Sequence, residues 1–391
     1  MMTRKEAKDA PRRLTLMALL LAGLIGPSAG TAPAQAQERL CERPHQHVSR
    51  PLTDLGAASY IRMDGQVTGF SGGLYPGGSN VRPAAHEAAG VAIATQIEPL
   101  NGSGRPDPAG GRIVMIAVGM SNAAQEFETF MELAAAEERL NPQLLLINGA
   151  QGGQTAEDWT DPQELRWQVV NERLAAAGLA PAQVQVAWVK QVHAGRGDFP
   201  KKPQHLQQAL TLIARNLKAN YPNLRLAYFS SRTRAYRYWE GLSPEPAAFE
   251  SGFAVKWLIE SQIEGHPALN FDPGRGPAVA PYLSWGPYLW IDGANPRSDG
   301  LTWLAADLAK DCVHPSPAGR DKVAAMLLAF FTTDSTSAPW FNRTGLPTAA
   351  TTSPAPTATA APSLPAPPAT PTPRASATPE PSPGPVPPAY R

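Results

Sequence analysis

The chain has 391 residues, with 34 Lys and Arg against 33 Asp and Glu, for a formal charge of +1. That near balance excludes the strongly basic face with which nucleic-acid binders neutralise phosphates. Two cysteines, Cys41 and Cys312, are too few for a disulfide-rich scaffold or a four-cysteine zinc site.

Residues 1–36 read as a secretory signal peptide. Basic residues end in Arg12-Arg13, an apolar run extends from Leu14 to Ile25, and Ala34-Gln35-Ala36 offers small residues for cleavage. The run is shorter than the roughly 20 residues that span a bilayer, although an uncleaved anchor is the competing reading. Its removal takes away five basic and two acidic residues and moves the net charge from +1 to −2.

Residues 37–111 are rich in Gly and Pro, as in Gly72-Gly73-Leu74-Tyr75-Pro76-Gly77-Gly78. They are expected to form a flank of turns and short strands, without a long helix, packed on the main domain. His45 and His47 stand there without further ligands, so no metal site is expected.

From 112 to 344 the pattern alternates. Ile113 to Val118 is a continuous apolar run, as suits a strand covered on both faces, and a helix is expected over Ala123 to Leu140. Leu144 to Ile147 predicts the second strand and Pro162 to Ala177 its helix. Val184 to Val189 predicts the third, with a helix over Gln204 to Tyr221. Leu224 to Ser230 predicts a fourth, before a helix within Pro246 to Ile263. Tyr282 to Trp290 contains a fifth, and Pro317 to Phe331 a last helix, capped by Ser316 with Pro317 in its first turn. Strands alternating with helices imply an α/β fold, a parallel sheet with helices on both faces. Residues 345–391 are Pro, Thr, Ala and Ser, with 15 of the chain's 42 prolines between Leu346 and Arg391. Such a segment cannot bury enough apolar surface to offset its ordering entropy, so a disordered tail is expected, either a spacer to a cell surface or a tail without a partner.

In open parallel sheets, ligands bind beyond the carboxyl ends of the strands. Those ends carry Gly119-Met120-Ser121-Asn122, the glycine-rich Asn148 to Thr155, Lys190-Gln191-Val192-His193 and, before the last helix, Asp311-Cys312-Val313-His314. A serine hydroxyl needs a base to become a nucleophile, and His314 is the candidate. Asp311 can orient that imidazole. The backbone N–H groups of Ser121, at a helix start, and Gly153, in a glycine turn, suit an oxyanion hole. Each feature alone has a bland reading as a cap, a turn or a surface hydrogen bond; the ordered set carries the argument.

Over roughly residues 112–332 the chain resembles the SGNH/GDSL hydrolase superfamily, in a Gly-x-Ser-Asn form similar to its carbohydrate acetylesterase-like branch. The resemblance rests on Gly119 to Asn122, Asn148 to Thr155 and Asp311 to His314. It implies a flavodoxin-like three-layer α/β/α sandwich of strand order 2-1-3-4-5 and ester hydrolysis by a Ser-His-Asp triad. Where the family offers an Asn side chain to the oxyanion hole, this chain has Gln191, one methylene longer; His193 or Asn122 are the other donors within reach of that role. Tyr236, Tyr238 and Trp239 are candidate sugar-stacking residues, and Asn122 a further substrate contact. Trp285, Tyr288 and Trp290 near the fifth strand read as packing more readily than as binding.

The expected function is an exported serine esterase acting on a small or carbohydrate-linked ester, with no metal, organic cofactor or nucleic acid. The alternative is a noncatalytic carbohydrate-binding or surface-interaction protein of the same fold. An α/β-hydrolase is disfavoured, because Ser121 follows the first strand and Asp311 stands beside His314. In an oxidising compartment Cys41 and Cys312 either pair as a disulfide or remain separate buried thiols.

Overall fold

The computed structural model describes Cys41, residues 49–236 and residues 242–343. The segments expected as signal peptide and tail lie outside these residues, as do His45, His47, Tyr238 and Trp239.

Five strands form one parallel sheet: β3 (Ile113–Gly119), β4 (Leu144–Asn148), β5 (Val184–Lys190), β6 (Leu226–Phe229) and β7 (Tyr282–Trp285). Their spatial order is β4-β3-β5-β6-β7. Counted along the chain within this sheet, that is 2-1-3-4-5. All seven residues of both β3 and β5 are buried, which is why β3 is an unbroken apolar run and β5 is apolar apart from Gln185 and Lys190.

Side chains of β3 divide between the two faces, as a period of two requires. Val114, Ile116 and Val118 pack with helices α4 (Leu165–Ala176), α5 (Lys201–Asn220) and α6 (Ala247–Ile263). Ile113, Met115 and Ala117 pack instead with α3 (Ser121–Ala135), α7 (Pro317–Thr333) and the short α8 (Ala338–Phe341). The result is a three-layer α/β/α sandwich. The last long helix starts as expected: Ser316 Oγ accepts from the Gly319 amide at 3.3 Å, and Pro317 occupies the first turn.

Two boundaries differ from the sequence expectation. The fourth strand is confined to Leu226–Phe229, and the fifth ends at Trp285, because Gly286-Pro287 follows and proline has no N–H for a ladder. Tyr288 and Trp290 are nonetheless buried, as packing residues of a loop.

Residues 49–111 lie against the sheet domain. They comprise a single-turn helix α1 (Leu52–Leu55), an antiparallel hairpin of β1 (Ser59–Ile61) and β2 (Val67–Ser71), and an eleven-residue helix α2 (Ala84–Ala94). That last helix corrects the expectation that this segment lacks one. Six alanines and a glycine gave it no clear apolar stripe to read. Tyr60 fits among Phe199, Phe249 and Phe253, Lys256 Nζ donates to the Ser71 carbonyl at 2.9 Å, and Trp285 Nε1 donates to the Leu74 carbonyl at 2.6 Å. Among the described residues no helix is long and apolar enough to cross a membrane.

Candidate active site

Strand β3 turns directly into α3, and Ser121 is the first residue of that helix. The turn is tight: a Cβ on Gly119 would stand 2.7 Å from the Lys190 carbonyl oxygen and 2.4 Å from Ala123 Cβ, so only glycine fits. As a first-turn residue, Ser121 has an N–H without an acceptor inside its helix. Beside it runs the glycine loop after β4. The Gln151 amide donates to the Gly119 carbonyl at 2.9 Å, and a Cβ on Gly152 would lie 3.9 Å from Ser121 Cβ. Gly153 has φ +74°, the left-handed conformation that glycine adopts freely.

The third element is the turn before α7. Ser121 Oγ lies 2.7 Å from His314 Nε2, across 193 residues of sequence. His314 Nδ1 lies 2.5 Å from Asp311 Oδ2, while Asp311 Oδ1 accepts the backbone amides of His314 at 2.9 Å and Val313 at 3.0 Å. Burial opposes ionisation of Asp311, but these three hydrogen bonds hold its carboxyl below the usual range. An ionised Asp311 accepts from Nδ1–H, which leaves Nε2 as the acceptor for the Ser121 hydroxyl. The Asp311 and His314 side chains are 46% and 30% exposed, so solvent reaches the pair. A cavity of about 800 Å³ adjoins them, bordered by Gln125, Lys310, Pro315 and Arg320.

Other predicted residues fall in different places. Asn122 is fully buried, and its Nδ2 donates to the Val313 carbonyl at 2.9 Å. It therefore ties the start of α3 to the Asp311–His314 turn. Gln191 is buried, and its Nε2 donates to the Gln154 carbonyl at 3.2 Å, which braces the glycine loop. His193 is buried, stacked on His205 with ring centroids 4.4 Å apart, and pairs with Glu157. Burial keeps its imidazole below the usual range despite Glu157. Tyr236 is half-buried; its hydroxyl donates to the Trp303 carbonyl at 2.6 Å and its amide to the Cys312 carbonyl at 3.2 Å. It packs against the turn before α7. Cys41 and Cys312 form a disulfide, with Cα atoms 5.4 Å apart.

One pair escaped the sequence. Lys190, the last residue of β5, and Glu126, in the second turn of α3, are both fully buried, with Nζ 2.6 and 2.5 Å from the two carboxylate oxygens. Burial lowers Lys190 to about 8, against the pull of Glu126. Lysine closing a mostly apolar strand was the available signal. A larger cavity, about 1030 Å³, lies at the opposite ends of the strands, near Arg225 and Tyr282, and holds none of the predicted site residues. Among the described residues no group of three or more His, Cys, Asp or Glu side chains is arranged to hold a metal ion.

No protein-family model matches the chain, and no curated protein matches it significantly. Among solved structures it is similar to a provisionally assigned acylhydrolase of Bacteroides fragilis, with TM-score 0.32 and 12% identity over 64% of this chain and 97% of that one. It is also similar to the periplasmic domain of a lipopolysaccharide acetyltransferase of Salmonella ser. Paratyphi A, with TM-score 0.31 and 12% identity over 64% and 97% of the two chains. A carbohydrate acetylesterase of Xanthomonas citri is matched with TM-score 0.30 and 13% identity over 57% and 56%. In features of its own, the sheet order and the strand-end placement of Ser121, Gly153, Asp311 and His314, the chain is similar to the SGNH/GDSL hydrolases.

Proposed function

We propose that the chain is an exported serine esterase that deacylates a small or carbohydrate-linked ester. The observation that supports this reading best is the unbroken relay from Ser121 Oγ through His314 to Asp311, at 2.7 and 2.5 Å.

The chemistry follows from that relay. Ser121 Oγ attacks the ester carbonyl while His314 Nε2 takes its proton, and Asp311 keeps the imidazole in the tautomer this requires. The carbonyl oxygen becomes an oxyanion facing the N–H groups of Ser121 and Gly153, with the Gln191 side-chain amide as third donor. Each such donor lowers the barrier by about 3 kcal/mol. His314 then returns the proton to the leaving alcohol. Water repeats the sequence on the acyl-serine and restores the free hydroxyl. The relay starts only from a His314 whose Nε2 is free to accept the serine proton.

The bracing of Gln191 against Gln154 favours one alternative, a binding protein of the same fold whose oxyanion hole is incomplete. Hydrolysis of 4-nitrophenyl acetate separates the two. The esterase reading expects turnover that Ser121→Ala abolishes with folding intact, together with labelling of Ser121 by a fluorophosphonate. Neither turnover nor labelling would leave the binding protein.

A further inference from the structure

We infer that the Cys41–Cys312 disulfide is a positioning device for Asp311 and His314, fixing the backbone of the turn that presents them to Ser121. The inference builds on the esterase reading and adds a covalent tether to it.

Cys312 lies inside the turn, directly after Asp311 and two residues before His314. Its φ is +60°, and it is the non-glycine residue with positive φ among those described. A Cβ crowds the carbonyl in that conformation, so residues with side chains leave it unless something holds them there. Hydrogen bonds share the holding. The Cys312 amide donates to the Ala309 carbonyl at 2.9 Å, and the Ala309 amide to the His314 carbonyl at 2.7 Å. Neither grips the Cys312 side chain. The disulfide does: Cys41 is fully buried and Cys312 5% exposed, packed with Ala305 and flanked by Tyr236. Release of the tether lets residue 312 rotate toward the right-handed region. That rotation redirects the chain between Asp311 and His314 and breaks the carboxylate's contacts with the Val313 and His314 amides and with the imidazole. The glycine loop and Gln191 stand on other strands and keep their places, so the chemical step suffers more than ester binding.

Two variants separate tether from backbone conformation. Cys41→Ala removes the tether and leaves a side chain at 312. The double variant Cys41→Ala/Cys312→Gly also lacks the tether, but glycine adopts φ near +60° without a steric penalty. With a chromogenic acetate ester, Cys41→Ala is expected to lower kcat about tenfold or more, as misplaced catalytic groups do. KM should change less than about threefold, since substrate binding is spared. The glycine double variant should recover most of the lost kcat. Unchanged kcat in Cys41→Ala, or a double variant as slow as the single, would overturn the inference. Should Cys41→Ala fail to fold, the folded wild type is treated with tris(2-carboxyethyl)phosphine. The phosphine attacks one sulfur, the S–S bond breaks, both sulfurs become thiols with protons from water, and the phosphine takes up the water oxygen as its oxide. A reduced protein of unaltered kcat overturns the inference equally. A readout independent of turnover is the downfield proton signal of His314 Nδ1–H in ¹H NMR, present in the oxidised protein and lost in Cys41→Ala. If the wild type hydrolyses no ester and Ser121 takes no fluorophosphonate, the esterase reading fails, while this signal still tests the tether.

Discussion

At the scale of the residue, the site is a problem of tautomers. Asp311 has two oxygens with separate duties: Oδ1 binds the amides of Val313 and His314, and Oδ2 binds the ring. Asp311→Asn preserves the first duty and reverses the second, because an amide Nδ2 donates where a carboxylate accepted. His314 then presents Nε2–H to Ser121 and cannot take its proton. We expect kcat to fall by about 10³–10⁴-fold with the thermal midpoint nearly unchanged, measured by ester hydrolysis and thermal unfolding. Loss of activity below tenfold would mean that the imidazole is oriented by something other than Asp311. These three residues were legible in the sequence because each stood at the end of a recognisable strand or before a capped helix. The bond that Asn122 makes to the turn was not legible. Its partner, the Val313 carbonyl, lies 191 residues away, and no local pattern announces such a bond.

At the scale of the element, helix α3 carries Ser121, the proposed nucleophile, and strand β5 supports it. Lys190 and Glu126 tie the two together in a site closed to water. Removing one partner leaves a buried charge without its counterpart, whereas replacing both by apolar residues of similar volume does not. Glu126→Gln should therefore destabilise the protein by about 3–5 kcal/mol in urea unfolding, and Glu126→Leu/Lys190→Met should lie within about 2 kcal/mol of wild type or above it. If the single variant is no less stable than the double, the pair is not a structural tie. The strands themselves were the most legible elements, since burial on both faces writes β3 as an unbroken apolar run and β5 as a mostly apolar one. Legibility declined toward β7, where Tyr288 and Trp290 extend the apolar run beyond the strand although Pro287 ends the ladder. Helix α2 was lost for the opposite reason: alanine is too small to mark a buried face.

At the scale of the whole molecule, the seam between residues 49–111 and the sheet domain is closed by a carboxyl group held in its acid form. Glu250 of α6 is 2% exposed and accepts the Tyr60 hydroxyl at 2.9 Å. Burial, only partly offset by Tyr60 and Arg62, pushes it up to about 8 from an ordinary 4.5. A folded-state pKa above the unfolded one contributes stability that is full below the unfolded value and is lost as pH rises through the folded one. Thermal stability should thus decline as pH rises from about 4.5 to about 8. Glu250→Gln, which keeps an acceptor for Tyr60 but cannot ionise, should flatten that decline and exceed wild type at alkaline pH by an amount on the order of a few kcal/mol. A variant with the wild-type slope would remove Glu250 as its cause.

The 193 residues that separate Ser121 from His314 also order events in time. During synthesis the Ser121 hydroxyl emerges early and waits while nearly the whole sheet is laid down behind it. Only when the closing helix has followed its turn onto the finished layers does the alcohol meet a proton acceptor. On the esterase reading, a chain that ends before Asp311 and His314 is expected to be chemically silent, since its hydroxyl has not met its base.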